Sequence, residues 1–243
     1  MRPESEYVEA LRLLRQGWND CAVSRATGVP RCTVRGWRTQ PRGKWKARRD
    51  GGCPVCGHTR LDRPQYAYLL GLYLGDGCLS LRPRAVYHLR IVLDAKYLDI
   101  IGECTRAMTS VRGRRAGQTR GPGCIVVGSC WKHWPCLFPQ HGPGAKHERS
   151  IELAPWQREI TRQHPGLLLR GLIHSDGCRI LNHVNGTGYP RYHFSNKSVG
   201  IREIFCTACD DYGVHWTAPR RDLLSIARRD DVARLDLAVG AKT

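Results

Sequence analysis

Leu69-Leu70-Gly71-Leu72-Tyr73-Leu74-Gly75-Asp76-Gly77 and Leu169-Arg170-Gly171-Leu172-Ile173-His174-Ser175-Asp176-Gly177 lie a hundred positions apart and agree in register at Leu, Gly, Leu, Asp and Gly. A Cys follows each stretch, Cys78 and Cys178. A repeat of this kind predicts two copies of one supersecondary unit sharing a core. The apolar residues and the absence of Pro predict a helix, with Gly77 and Gly177 as its terminators. Asp76 and Asp176 then fall in the last helical turn, where the dipole is negative and a carboxylate costs up to ~1 kcal/mol. Within each helix Gly71 and Gly75, or Gly171 and Ser175, share one face, and small residues there let two backbones approach closely. If the helices pack on each other, their ends bring two carboxylates together near a pseudo-two-fold axis. Like charges at short range call for a cation between them. A divalent metal held by paired carboxylates is a hydrolytic arrangement.

Composition narrows the partners. The chain has 243 residues, room for one full-sized domain and a small one. Its formal charge of +18 points to a polyanion. Arg31 to Arg49 holds eight basic residues and no acid, and Cys104 to His147 holds no Asp or Glu. Trp37 and Trp45 lie within the first run, which favours phosphate contact over a merely solvated face. No stretch approaches the ~20 apolar residues of a membrane span. Met1-Arg2-Pro3-Glu4-Ser5-Glu6 is not followed by the apolar core of a signal peptide. The twelve cysteines therefore read as reduced thiols of a cytoplasmic protein, some of them on zinc.

The N-terminal 40 residues read as three helices: 4–16, a second from the capping Asn19 through Thr27, and a third from Pro30 to Trp37, with Gly17 and Gly28 at the turns. The run from Gly17 through Arg25, Gly28-Val29 and Thr33-Val34 to Trp37 resembles the helix-turn-helix of bacterial regulators, resolvases and transposases. That resemblance places the third helix in the major groove. Val34 and Trp37 would be buried, Arg31, Cys32 and Arg35 would face base edges, and Arg38 would face phosphate. Residues 41–63 form a basic linker, in which Arg42, Lys44 and Lys46 are candidate phosphate contacts. The linker also contains Cys53-Pro54-Val55-Cys56-Gly57-His58. Cys-Pro-x-Cys-Gly is the tight turn of a zinc knuckle, with His58 as a candidate third ligand and a fourth from a distance. Cys206 and Cys209 have the same spacing but fall in a helix at 199–212, where they fill core.

The two repeated stretches resemble the paired signature of the LAGLIDADG homing endonucleases, in the single-chain form that carries both copies. The resemblance runs from Tyr66 to the C-terminus. After each signature helix the chain reads alike. Strands at 78–81 and 86–93, a helix at 96–108, strands at 115–119 and 124–129 and a short helix at 133–138 make the first half. The second has strands at 179–184 and 189–194, a helix at 199–212, strands at 215–219 and 223–227, and a helix at 232–239. The fold class is thus α+β, a duplicated αββαββα core with pseudo-two-fold symmetry behind a small all-α domain. Its halves are residues 64–147 and 148–243, and the chain would be a monomer with an internal pseudo-dimer. In this family each half's sheet tracks the major groove of double-stranded DNA, which makes Lys96 and Lys197, at equivalent positions, candidate DNA contacts.

The resemblance makes Asp76 and Asp176 the metal-binding carboxylates, with Gly75 and Ser175 completing the shell. Bound metal ions activate water and stabilise the leaving oxygen, and both strands are cut. Oxygen ligands suit Mg²⁺. Leu74 and His174 depart from the family where an acid is often seen, at a position that is not the metal ligand, and His174 reads as an ordinary packed residue. Lys132 and Arg228, leaving the last strand of each half, are candidate basic helpers. Trp131 to Gly142 reads as aromatic packing between the halves, and 141–147 as the link to the second half. The competing reading is a helix-turn-helix transcription regulator whose LAGLIDADG core is inactive. A recombinase accessory factor would leave the duplication unexplained.

Overall fold

The computed structural model describes residues 3–39 and 52–240, in two compact units, Met1–Asp50 and Gly51–Thr243. Arg42, Lys44 and Lys46 lie outside the described residues.

In the first unit, α1 (Glu4–Arg15), α2 (Asp20–Thr27) and α3 (Arg31–Thr39) follow the expected three-helix order. Asn19 caps α2 by accepting the Ala22 N–H at 2.9 Å, and Gly28 makes the turn into α3 with φ 67°. Ala10, Leu13, Val23, Val29, Val34 and Trp37 form a small core, with Tyr7 edge-on to Trp37.

The second unit repeats one motif. The first half comprises α4 (Arg63–Asp76), β1 (Gly77–Arg82), β2 (Val86–Asp94), α5 (Leu98–Arg112), β3 (Gly117–Gly121), β4 (Cys124–Trp131) and α6 (Trp134–Leu137). After α7 (Pro155–Gln163) the order recurs as α8 (Pro165–Asp176), β5 (Gly177–Val184), β6 (Thr187–Ser195), α9 (Val199–Tyr212), β7 (Thr217–Arg220), β8 (Leu223–Ile226) and α10 (Arg229–Val239). Each half folds its strands into one antiparallel sheet, ordered β1-β2-β4-β3 and β5-β6-β8-β7. The duplicated αββαββα core is therefore present, with α7 as an addition. Pro155 opens α7 and Gln157 anchors it. The buried Gln157 amide donates to the Tyr66 hydroxyl at 2.6 Å and its oxygen accepts from the Gln140 amide at 2.6 Å. Such a fully partnered polar cluster is a packing device that a hydrophobic pattern does not announce.

α4 is apolar on all sides, buried without a break from Tyr66 to Leu74, as a helix at the centre of a domain must be. One continuous core runs through both halves, and β2 alternates into it, with Leu89, Ile91 and Leu93 inward. The helices end at the expected glycines. Gly77 and Gly177 terminate the helices with φ of −84° and −108°, outside the left-handed region, because the chain turns straight into a strand. Glycine is required there for room: a Cβ would lie 2.5 Å from the Tyr73 Cα or 2.7 Å from the Ile173 Cα.

Candidate active site

The repeated glycines let α4 and α8 touch backbone to backbone. A Cβ on Gly71 would lie 2.6 Å from the Leu168 carbonyl oxygen and 2.7 Å from the Leu172 nitrogen. A Cβ on Gly171 would meet the Tyr68 carbonyl and lie 3.0 Å from the Gly71 Cα. One turn further, Gly75 faces the Ser175 side chain, and its Cβ position lies 3.0 Å from Asp176 Oδ2. The contact thus carries the ends of both helices, and with them Asp76 and Asp176, to one place. Asn196, in the turn after β6, donates its amide to Asp176 Oδ2 at 2.6 Å. At the matching turn after β2 the chain has Ala95, so the halves differ in their surroundings here.

Lys146 enters this site from the segment between the halves. Its ammonium donates to the carbonyls of Tyr73, Leu74 and Gly75 at 2.5, 3.0 and 2.9 Å, and lies 4.9 Å from the Tyr73 ring centroid. Those three acceptors match the three protons of an ammonium at the negative end of α4. Burial pulls the Lys146 pKa down to about 8, while Asp176 and Asp76 favour its charged form. An open cavity of about 340 Å³ is lined by Leu74, Gly75, Lys146, Asp176, Asn196 and Lys197, among others. The donor set at the helix ends is oxygen only: the aspartate carboxylates and main-chain carbonyls. It fits a hard divalent cation, although Lys146 already holds the Gly75 carbonyl.

The other expected residues fall in several places. Lys197 lines the cavity. Lys96, its counterpart, is exposed, paired with Asp94 at 3.0 Å and set over the Tyr97 ring. Lys132 and Arg228 are exposed and do not line the cavity, whereas Lys146, which carries no motif, does. His174 is buried, held between the Tyr68 hydroxyl at 3.0 Å and the Val239 carbonyl at 3.1 Å, a satisfied core residue. On α3, Arg31, Cys32 and Arg35 are exposed and Val34 and Trp37 buried. Arg38 lies 3.4 Å from Asp20, so part of its charge is spent within its own bundle.

The turn at Cys53 and Cys56 has neighbours other than the expected one. His58 is exposed, at φ 49°, and does not join Cys53 and Cys56. The side chains that do are His133 and Cys136, from the stretch read as aromatic packing. Aromatic packing is present there too, with the Trp134 ring tilted against Phe138 and Phe138 against Tyr73, but these contacts lie within the first half and not between the halves. In α9, Cys209 is a core residue and Cys206 packs half-buried against the core.

The outward faces of the sheets carry cations that no motif marked. Arg82, His88 and Arg90 lie on one and Arg191, His193 and Arg220 on the other. Burial, then the flanking guanidiniums, lowers the pKa of both histidines, a local sign of the positive potential there.

No protein-family model and no curated protein matches the chain. Among solved structures it is similar to I-DmoI in complex with DNA and Mn, at 17% identity over 74% of this chain and 98% of that one, with a TM-score of 0.51. Weaker likenesses are the homing endonuclease I-WcaI bound to its DNA recognition sequence (13% identity, 74% and 82% of the chains, TM-score 0.47) and the N-terminal LAGLIDADG domain of DUF199/WhiA (13%, 74% and 83%, 0.44). The first of these shows the fold: a LAGLIDADG core in its single-chain, two-motif form.

Proposed function

We propose that the chain is a DNA-binding, Mg²⁺-dependent endonuclease that hydrolyses both strands of a duplex, with Asp76 and Asp176 holding the cation. The observation that carries this reading is the close contact of the two helices at Gly71, Gly75, Gly171 and Ser175, which brings their carboxylate-bearing ends together, with Asp176 lining an open cavity, in a protein of charge +18. When bound, the metal would lower the pKa of water and stabilise charge on the leaving oxygen. The chain's own residues hold and orient. Asn196 fixes the rotamer of Asp176, Lys197 offers a cation to a phosphate at the mouth, and Lys146 offsets the carboxylates and the end of α4. Because Asn196 has no amide counterpart at Ala95, the two halves are unequal, and the two strands should be cut at different rates. The closing test is incubation of the purified chain with a randomised duplex library and Mg²⁺, scored for cut ends and for bound sequence.

One observation favours the second reading, a regulator with an inactive core. Two carboxylates at helix C-termini call for a cation, and the Lys146 ammonium already supplies one without a metal. The readings differ in what Lys146→Met does to metal binding. In a nuclease, calorimetric titration with Mn²⁺ detects binding to the parent, and removing a competing cation tightens it about tenfold, ~1.4 kcal/mol. In an inactive core the parent binds none and only the variant does. Absence of binding in both would remove the metal assignment.

The N-terminal unit supplies sequence reading through Arg31 and Arg35 in this proposal. Replacing both with Ala leaves folding intact, since both are exposed. Each lost base contact costs ~1–3 kcal/mol and relaxes preference at one flank of the site. Loss of Arg42, Lys44 and Lys46 instead weakens binding on every sequence and lowers the salt slope, as phosphate contacts do. Salt titrations on specific and random duplexes separate the two. If both variants behave alike, the helices contribute charge and no reading.

A further inference from the structure

Two short i, i+3 pairs far apart in sequence meet in the second unit: Cys53 and Cys56 in the turn before α4, and His133 and Cys136 at α6. Their ligand atoms all lie within 4.8 Å of one another. Cys56 Sγ is 3.3 Å from His133 Nδ1, and Cys136 Sγ is 3.9 Å from the same nitrogen. Around a tetrahedral zinc with Zn–S ~2.3 Å and Zn–N ~2.0–2.1 Å, neighbouring ligand atoms stand ~3.5–3.8 Å apart. The two sulfur–nitrogen edges lie on either side of that range, and every other edge is within 4.8 Å. We propose that Cys53, Cys56, His133 and Cys136 bind one structural Zn²⁺.

The local backbone is built for this. The Cys56 N–H points at Cys53 Sγ at 3.5 Å, a bond that strengthens when the sulfur is a thiolate. The Gly57 N–H donates to the Cys53 carbonyl at 2.7 Å, closing the knuckle. A Cβ on Gly57 would lie 3.0–3.1 Å from the Cys53 backbone, so the turn closes most easily around glycine. On the other side, α6 has only four residues, too short to hold itself by helix propagation. His133 is its N-cap residue and Cys136 lies one turn on, so a metal bound by both would staple that turn. Cys53, Cys56 and Cys136 are free thiols, so no disulfide uses them.

Three thiolates and one imidazole complete a four-coordinate shell with no open position, which assigns a structural and not a hydrolytic role. The ion fastens the point where the chain enters the core to the corner after β4. It is chemically separate from the oxygen donors at Asp76 and Asp176, which prefer a harder ion. The two metal sites therefore stand or fall independently.

The test uses the full chain purified under reducing conditions from zinc-supplemented cells, with metal content measured by plasma mass spectrometry. About one zinc per chain is expected. Cys136→Ser and His133→Ala should lose most of it, and His58→Ala should keep all of it. Exchange of the parent with Co²⁺ should give thiolate-to-cobalt charge-transfer bands and the intense visible bands of a tetrahedral site, which decides the matter if a ligand variant is insoluble. A parent that carries no zinc and takes up no Co²⁺ overturns the proposal. So does zinc retained by Cys136→Ser, or lost from His58→Ala, or iron found in its place.

Discussion

Asp76→Asn and Asp176→Asn should each abolish cleavage of at least one strand while leaving DNA affinity unchanged or tighter. The substitution keeps shape and volume and removes one negative charge, so α4 and α8 should still pack. A Lewis-acid metal contributes several kcal/mol of transition-state stabilisation, and at ~1.4 kcal/mol per decade that is a rate loss of about a thousandfold or more. Binding moves the other way because a carboxylate beside a phosphate is repulsive. Single-turnover cleavage of a doubly end-labelled duplex reads each strand separately, and an electrophoretic titration without metal reads affinity. If both variants cut both strands at the parent's rate, the carboxylates do not hold the catalytic ion. If the parent itself never cuts yet binds a defined sequence, the regulator reading stands and Lys146 accounts for the retained acids.

The parts of this molecule that were legible in the sequence are those set by local period. The register between Gly71 and Gly171, the alternation of Leu89, Ile91 and Leu93, and the capping Asn19 each follow from rules that act over a few residues. The same rules placed Asp76 and Asp176 in the last helical turn. Lys146 escaped because a lysine in a Gly-Pro-Gly loop carries no periodic signal. Only the path of the chain from Phe138 to Pro155 decides that its amine lands on the end of α4. His133 and Cys136 escaped for a related reason. The i, i+3 spacing was visible, but the partner pair lies 77 residues away from Cys56 to His133, and an aromatic-rich stretch reads first as packing. Asn196 looked like any polar residue before a helix, and it does serve that turn, accepting the Ser198 N–H at 2.8 Å. Its second bond, to Asp176, depends on how the sheet edge meets the helix ends.

Gly71→Ala and Gly171→Ala test the contact on which the whole site rests, and each should be severely destabilising. In an isolated helix the change from Gly to Ala is favourable by ~0.5–1 kcal/mol. Here the added methyl of Gly71→Ala meets main-chain atoms of Leu168, Leu172 and Gly171 at 2.6–2.8 Å, and main chain in a buried helix has nowhere to go. Overpacking of this sort costs ~1–3 kcal/mol and occasionally more, and a backbone clash belongs at the upper end. A loss of ~3 kcal/mol lowers the melting temperature of a domain this size by about 6–12 °C. Gly102→Ala, in the middle of α5, is the control: its Cβ would meet only the flexible end of Arg106 at 3.4 Å, so stability should hold or rise. The double variant Gly71→Ala/Gly171→Ala should cost less than the sum of the singles. One outward shift of α8 from α4 makes room for both methyls, and neighbours that share a relaxation are not additive. That shift also carries Asp176 away from Gly75, so any folded single variant should lose cleavage before it loses DNA affinity. Thermal melts of the three single variants and the double decide it. Unchanged melting of Gly71→Ala and Gly171→Ala would mean that the helices do not meet at these glycines, and the paired carboxylates would lose the geometry that brings them together.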